Sequence, residues 1–183
     1  MEFIVDGNQR IKLSHIKEYA IKKKIVTPYF GEQSNADEEK REFENIVNSI
    51  RLHFQPEKIT HEEHLEAQLT IFLKAKFPER KVERQIFSKS GDRLDILIDN
   101  KYVFELKVPK NKTDLRNLSA QIDEYIENYP NICVVIADTS QIPAEKEEEK
   151  VEAGLSENIR DYVEKYKLKY RVQTVVFNIE LRK

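Results

Sequence analysis

Apolar residues recur along this chain with two periods, and the switches between them mark its elements. Near the start, Phe3-Ile4-Val5 and Arg10-Ile11-Lys12-Leu13 flank Asp6-Gly7-Asn8, a short hairpin with a turn signal. Ser14 suits the cap of a helix carrying Ile16, Tyr19 and Ala20 inward, and residues 27–35, with Pro28 and Gly31, read as a loop. Phe43, Ile46, Val47, Ile50 and Phe54 then fall at helical spacing, a strongly amphipathic helix stopped by Pro56. Thr60-His61-Glu62-Glu63 reads as a capping box, the Thr60 hydroxyl meeting the N3 amide while Glu63 reaches back. The helix it opens carries Leu65, Leu69 and Phe72 as its stripe, with Leu73 on the flank and Pro78 beyond its end.

Alternation takes over in three runs, about Val82 to Phe87, Arg93 to Ile98 and Tyr102 to Val108. A helix from about Asp114 to Tyr129 sets Leu115, Leu118, Ile122, Tyr125 and Ile126 on one side. Ile132 to Ala137 is unbroken in its apolar character, as in a strand buried on both faces. The charged run Glu145 to Lys150 reads as a solvated loop or helix face; Ser156 then caps a last helix to about Lys167, and Arg171 to Leu181 closes as a strand. From Thr60 onward this order predicts an α/β fold: a mixed central sheet flanked by helices, with the helix after the third strand crossing over to a parallel neighbour. Residues 1–58 are expected to form a small N-terminal α+β appendage, and residues 59–183 the main domain.

The middle hairpin holds the most informative side chains. Alternation points Leu94, Ile96 and Ile98 one way and Asp95 and Leu97 the other. Across from them Tyr102, Phe104, Leu106 and Val108 share a face, and Val103, Glu105 and Lys107 share the opposite one. Burying the two apolar faces together pairs Ile98 with Tyr102, Ile96 with Phe104 and Leu94 with Leu106. That register sets Asp95 opposite Glu105, and it needs a three-residue connection, Asp99-Asn100-Lys101, or a bulge of the same effect. Opposed carboxylates destabilise a sheet unless a cation compensates. Lys107 supplies one charge on that face, and a divalent ion would supply the rest, with oxygen ligation favouring Mg²⁺ or Mn²⁺ over zinc. On the preceding helix Glu62 and Glu66 lie along one edge of the stripe, and Glu66, further from the helix start, is the preferred third acid. Gln121 and Tyr125, one turn apart, share a face of the later helix.

Composition removes several alternatives. The chain has 183 residues, and 31 Lys and Arg against 33 Asp and Glu leave it near neutral, unlike a protein that coats nucleic acid by bulk charge. Its four glycines, Gly7, Gly31, Gly91 and Gly154, are too scattered for a GxGxxG turn or a P-loop. One cysteine, Cys133, excludes an internal disulfide or multi-cysteine zinc site and reads as a buried packing thiol. His61 and His64 are three apart, not four as in HExxH, and read as exposed first-turn residues. No apolar run approaches the roughly 20 residues of a membrane span, and a cytoplasmic location is the default expectation.

Leu94-Asp95 followed after nine residues by Glu105-Leu106-Lys107 resembles the PD-(D/E)XK nuclease superfamily, whose fold is the restriction-endonuclease-like core. Leu94 stands where the nominal motif has proline. Gln121-Ile122-Asp123-Glu124-Tyr125 is similar to the Q-x-x-x-Y motif of RecB-like branches, and the likeness covers about residues 60–140. The resemblance implies metal-dependent hydrolysis of a phosphodiester bond, with DNA as partner in repair, defence or mobile-DNA processing. Asp95, Glu105 and the Leu106 carbonyl are then the expected ligands of Mg²⁺ or Mn²⁺, with Glu66 completing the shell. Lys107 orients or deprotonates water, Gln121 positions Lys107 or the phosphate, and Tyr125 holds the helix or touches the nucleic-acid backbone. Lys110, Lys112 and Arg116 are candidate phosphate contacts. The resemblance leaves a homodimer open. The contrasting readings are a salt-bridged sheet face for the acid cluster, a solvated Gln121 and core-edge Tyr125, and, for the whole chain, a non-catalytic module that binds nucleic acid or protein.

Overall fold

The computed structural model describes residues 2–5, 9–12, 35–87, 91, 93–142 and 150–179, with side chains from residue 36 onward. Among these the chain divides into two compact units, Met1–Glu42 and Phe43–Lys183. In the first, β1 (Glu2–Val5) pairs antiparallel with β2 (Gln9–Lys12), setting Val5 against Gln9 and Ile4 against Arg10. This is the hairpin the pattern predicts. Its turn, the helix at Ser14 and the Pro28 loop up to residue 34 lie outside the described residues, as does the acidic run up to Glu149.

The second unit is built on a five-stranded mixed sheet in the order β3-β4-β5-β6-β7. Strands β3 (Val82–Phe87), β4 (Arg93–Ile98) and β5 (Tyr102–Lys107) form an antiparallel meander. Strands β6 (Asn131–Asp138) and β7 (Gln173–Asn178) continue it in parallel. Helices α1 (Asn35–His53) and α2 (Glu62–Lys76) supply Phe43, Ile46, Ile50, Leu65, Leu69 and Leu73 to one core, with Ile96, Ile98, Tyr102, Phe104 and Cys133. Helices α3 (Lys112–Tyr125) and α4 (Leu155–Lys165) supply Leu115, Leu118, Ile122 and Ile159 to the other, with Leu97, Val103, Val134 and Ile136. The sheet is thus covered on both faces, as parallel strands with unbroken apolar runs require.

Several boundaries differ from the pattern-based ones, each for a local reason. The division falls at 42/43 and not 58/59, because the apolar face of α1 from Phe43 to Phe54 is buried with Tyr102 and Phe104 in the larger unit's core. Thr60 does not cap α2. His61 is the N-cap without a side-chain bond, and the Thr60 hydroxyl lies 3.1 Å from His64 Nδ1 instead. The buried stripe of α2 runs Leu65, Leu69, Leu73, with Phe72 at its margin. Helix α3 starts two residues early on an Asn111–Asp114 capping box. It stops at Tyr125, whose carbonyl accepts from both Asn128 and Tyr129 ahead of Pro130, and Ile126 is left exposed. Ser156 does not cap α4; its hydroxyl donates to Asp138 Oδ2 at 2.6 Å, and Gly154, at φ 75°, takes the cap position. A π-helical turn, Tyr166–Tyr170, follows α4; the Tyr166 hydroxyl donates to the Leu115 carbonyl (2.8 Å) and that of Tyr170 to Asp123 Oδ2 (2.9 Å).

Candidate functional site at the break between strands

The β4–β5 register matches the one that apolar burial demands, with Ile98 against Tyr102, Leu97 against Val103 and Ile96 against Phe104. The three-residue connection is also present, with Asp99 and Asn100 at φ 52° and 57°. These residue types tolerate left-handed backbone best after glycine. Asp99 further accepts from the Lys81 amide and from Arg80, each at 2.9 Å, which ties the turn to the start of β3.

Beyond Ile96 the ladder ends, and neither the expected Asp95–Glu105 pair nor the expected Leu94–Leu106 pair forms. Leu94 lies in the core under α3 while Ile96 and Leu106 lie in the core under α2, so the alternation of β4 inverts at Asp95. The same interruption appears toward β3, where Arg84 pairs with Ile96 and Ile86 with Leu94 while Gln85 and Asp95 between them do not pair. Gln85 carries a φ of 51°. In the gap, Asp95 Oδ2 accepts from the Leu106 amide at 2.8 Å, a side chain standing in for the missing main-chain partner.

Glu105 is 2 % exposed, and its Oε2 is a buried oxygen with no hydrogen-bond partner. Burial foremost, then the negative charge of Asp95, push its pKa up to about 9, against the weaker opposing effect of Lys107. Without a further cation its carboxyl is therefore protonated at neutral pH. Burial likewise raises Asp95 to about 6, its bond from Leu106 holding it lower than burial alone would, with Glu62 and Glu66 adding repulsion. Lys107 Nζ pairs with Glu62 Oε1 at 2.7 Å. Glu66, 4 % exposed, is engaged through both oxygens, by Arg84 Nε at 2.7 Å and Gln85 Nε2 at 3.1 Å.

Asp95, Glu105, Lys107 and Glu62 thus gather at one end of the sheet, and Glu66 sits beside them with its carboxylate occupied. No group of three carboxylate, imidazole or thiolate side chains poised to hold a metal occurs among the described residues. Two carboxylates, one with an unpartnered buried oxygen, suit a hard divalent cation as far as they go. Gln121 is half-buried and makes no hydrogen bond to Asp95, Glu105 or Lys107. Tyr125 is 2 % exposed and donates to the Arg93 carbonyl at 3.1 Å, so it fastens α3 to β4 and is too buried to touch a nucleic acid. Lys112 and Arg116 are exposed and Lys110 half-buried on and before α3, where Asp114 accepts from the Lys110 amide at 2.7 Å. Sequence reasoning missed the Glu66–Arg84–Gln85 arrangement, for which the alternating run Val82 to Phe87 carries no signal.

Comparison with known protein families, with characterised proteins and with solved structures finds no match to this chain. No helix among the described residues is long and apolar enough to cross a membrane.

Proposed function

We propose that this chain is a divalent-metal-dependent phosphodiester hydrolase acting on DNA, on a restriction-endonuclease-like core. The observation that carries the reading is the orphaned, fully buried Oε2 of Glu105 beside Asp95 and Lys107. Burying an acid without a partner costs stability that a merely structural sheet would avoid by using an apolar residue. Asp95 and Glu105 would hold the cation, Mg²⁺ or Mn²⁺, and Glu66 is left out because both its oxygens are engaged. When bound, the cation would lower the pKa of water and neutralise charge on the phosphate.

The chain's own groups do the rest. The Leu106 amide fixes Asp95 Oδ2, leaving its second oxygen for ligation. Lys107, anchored to Glu62, presents its ammonium N–H groups to the attacking water or to a phosphate oxygen as negative charge builds there. Lys112 and Arg116 on α3 offer phosphate contacts.

The test is cleavage of supercoiled, linear, single-stranded and branched DNA, and of RNA, with Mg²⁺ and Mn²⁺, comparing wild type with Lys107→Ala and Asp95→Asn. Cleavage by wild type alone is expected, along with a rise in Tm on adding Mn²⁺ that Asp95→Asn removes. The second reading, a non-catalytic binding module, is favoured by the closed Glu66 and the Lys107–Glu62 pair. Folded wild type that cleaves nothing and gains no Tm from either cation would select it.

A further inference from the structure

Arg84 and Gln85 are neighbours on β3, and in a regular strand their side chains leave on opposite faces. Here both reach one carboxylate, Arg84 Nε to Glu66 Oε1 at 2.7 Å and Gln85 Nε2 to Glu66 Oε2 at 3.1 Å. The left-handed backbone of Gln85, φ 51°, makes that convergence geometrically available, in a region that residues other than glycine seldom enter, Gln more seldom than Asn or Asp. Gln85 lies across from Asp95 in the one gap of the β3–β4 ladder, between the pairs Arg84–Ile96 and Ile86–Leu94. At that gap β4 inverts, sending Leu94 into the opposite core from Ile96 and turning Asp95 toward the Leu106 amide. Unbroken alternation would instead stand Asp95 beside Leu97, in the apolar core under α3.

We infer that Glu66 is a positioning residue: by clamping Arg84 and Gln85 it holds the break in the β3–β4 ladder that turns Asp95 onto the Leu106 amide. Glu66 acts on Asp95 through the backbone of the adjacent strands and does not ligate a metal. Its consequence for cleavage rests on the hydrolase reading; its consequence for backbone geometry does not.

The discriminating change is Gln85→Gly, because glycine takes the left-handed conformation without a clamp. Amide hydrogen exchange is measured on the metal-free full chain for wild type, Glu66→Ala and the double variant Glu66→Ala/Gln85→Gly. Exchange at Leu106 is expected to accelerate by about tenfold or more in Glu66→Ala and to return to within about threefold of wild type in the double variant. The amides of the Ile96–Phe104 ladder should stay protected throughout. If Glu66→Ala does not fold, Glu66→Gln, which keeps the shape and one acceptor, takes its place in both chains. Where wild type cleaves, activity should fall with Glu66→Ala and recover with the added glycine. Unchanged Leu106 exchange in Glu66→Ala overturns the inference, as does a loss of protection that glycine fails to restore. Leu106 protection kept while activity is lost overturns it too, and assigns Glu66 to the metal. Wild type that cleaves nothing counts against the hydrolase reading alone, since the exchange comparison still decides the clamp.

Discussion

Glu105 is a carboxyl group that folding makes less acidic, and this has a measurable price. With its folded pKa near 9 and an unfolded one of about 4.3, the native chain keeps a proton that the unfolded chain gives up between those values. The native state then binds more protons than the unfolded state, so stability falls as pH rises through that window. Asp95, raised to about 6, contributes in the same direction over the lower part of the range. The metal-free protein should therefore melt at a lower temperature at pH 8 than at pH 5. Glu105→Gln removes the titrating group while keeping the shape, and should flatten that dependence and stabilise the metal-free protein at pH 8 by on the order of 2 kcal/mol. Thermal melts of both chains at the two pH values in chelator check it. A wild-type Tm independent of pH would mean that Glu105 ionises normally and is better solvated than its burial implies.

Element by element, the strands were more legible than the helix ends. Two apolar faces on a hairpin leave a single register that buries both, so Ile96–Phe104 and Ile98–Tyr102 followed from alternation, and with them the neighbourhood of Asp95, Glu105 and Lys107. The inversion at Asp95 did not follow, because it depends on a left-handed Gln85 that no residue-type preference announces. Helix starts depend on which backbone amide a particular oxygen reaches. Thr60 heads the capping box that the pattern suggests, yet the one that forms is at Asn111, which the pattern leaves outside its helix. Asn111→Ala should then cost about 1 kcal/mol, while Thr60→Ala should cost under about 0.5 kcal/mol. Chemical denaturation of the two variants at constant m-value measures both. Equal costs would show that the Thr60 hydroxyl does more for α2 than its contact with His64 provides.

For the whole molecule, the question is where an independently folding piece can begin. Helix patterning alone assigns α1 to an N-terminal appendage, since Pro56 and the new helix after it look like a seam. The packing says otherwise: Phe43, Ile46, Val47, Ile50 and Phe54 are all buried in the core that covers one face of the sheet, and Arg51 bonds to Gln173 (2.9 Å) and to the Thr174 carbonyl (3.0 Å) on β7. Removing those five side chains forfeits burial worth roughly 1.5–3 kcal/mol each, which is comparable with the entire stability of about 5–15 kcal/mol expected for a domain. It also bares the apolar face formed by Tyr102, Phe104 and Val135. A fragment of residues 35–183 should therefore fold and melt cooperatively, whereas one of residues 59–183 should lack a cooperative transition and bind hydrophobic dyes. Near-ultraviolet circular dichroism and thermal melts of the two fragments separate the cases. A cooperatively folding 59–183 fragment would restore the seam at Pro56 and make α1 dispensable to the sheet that carries Asp95 and Glu105.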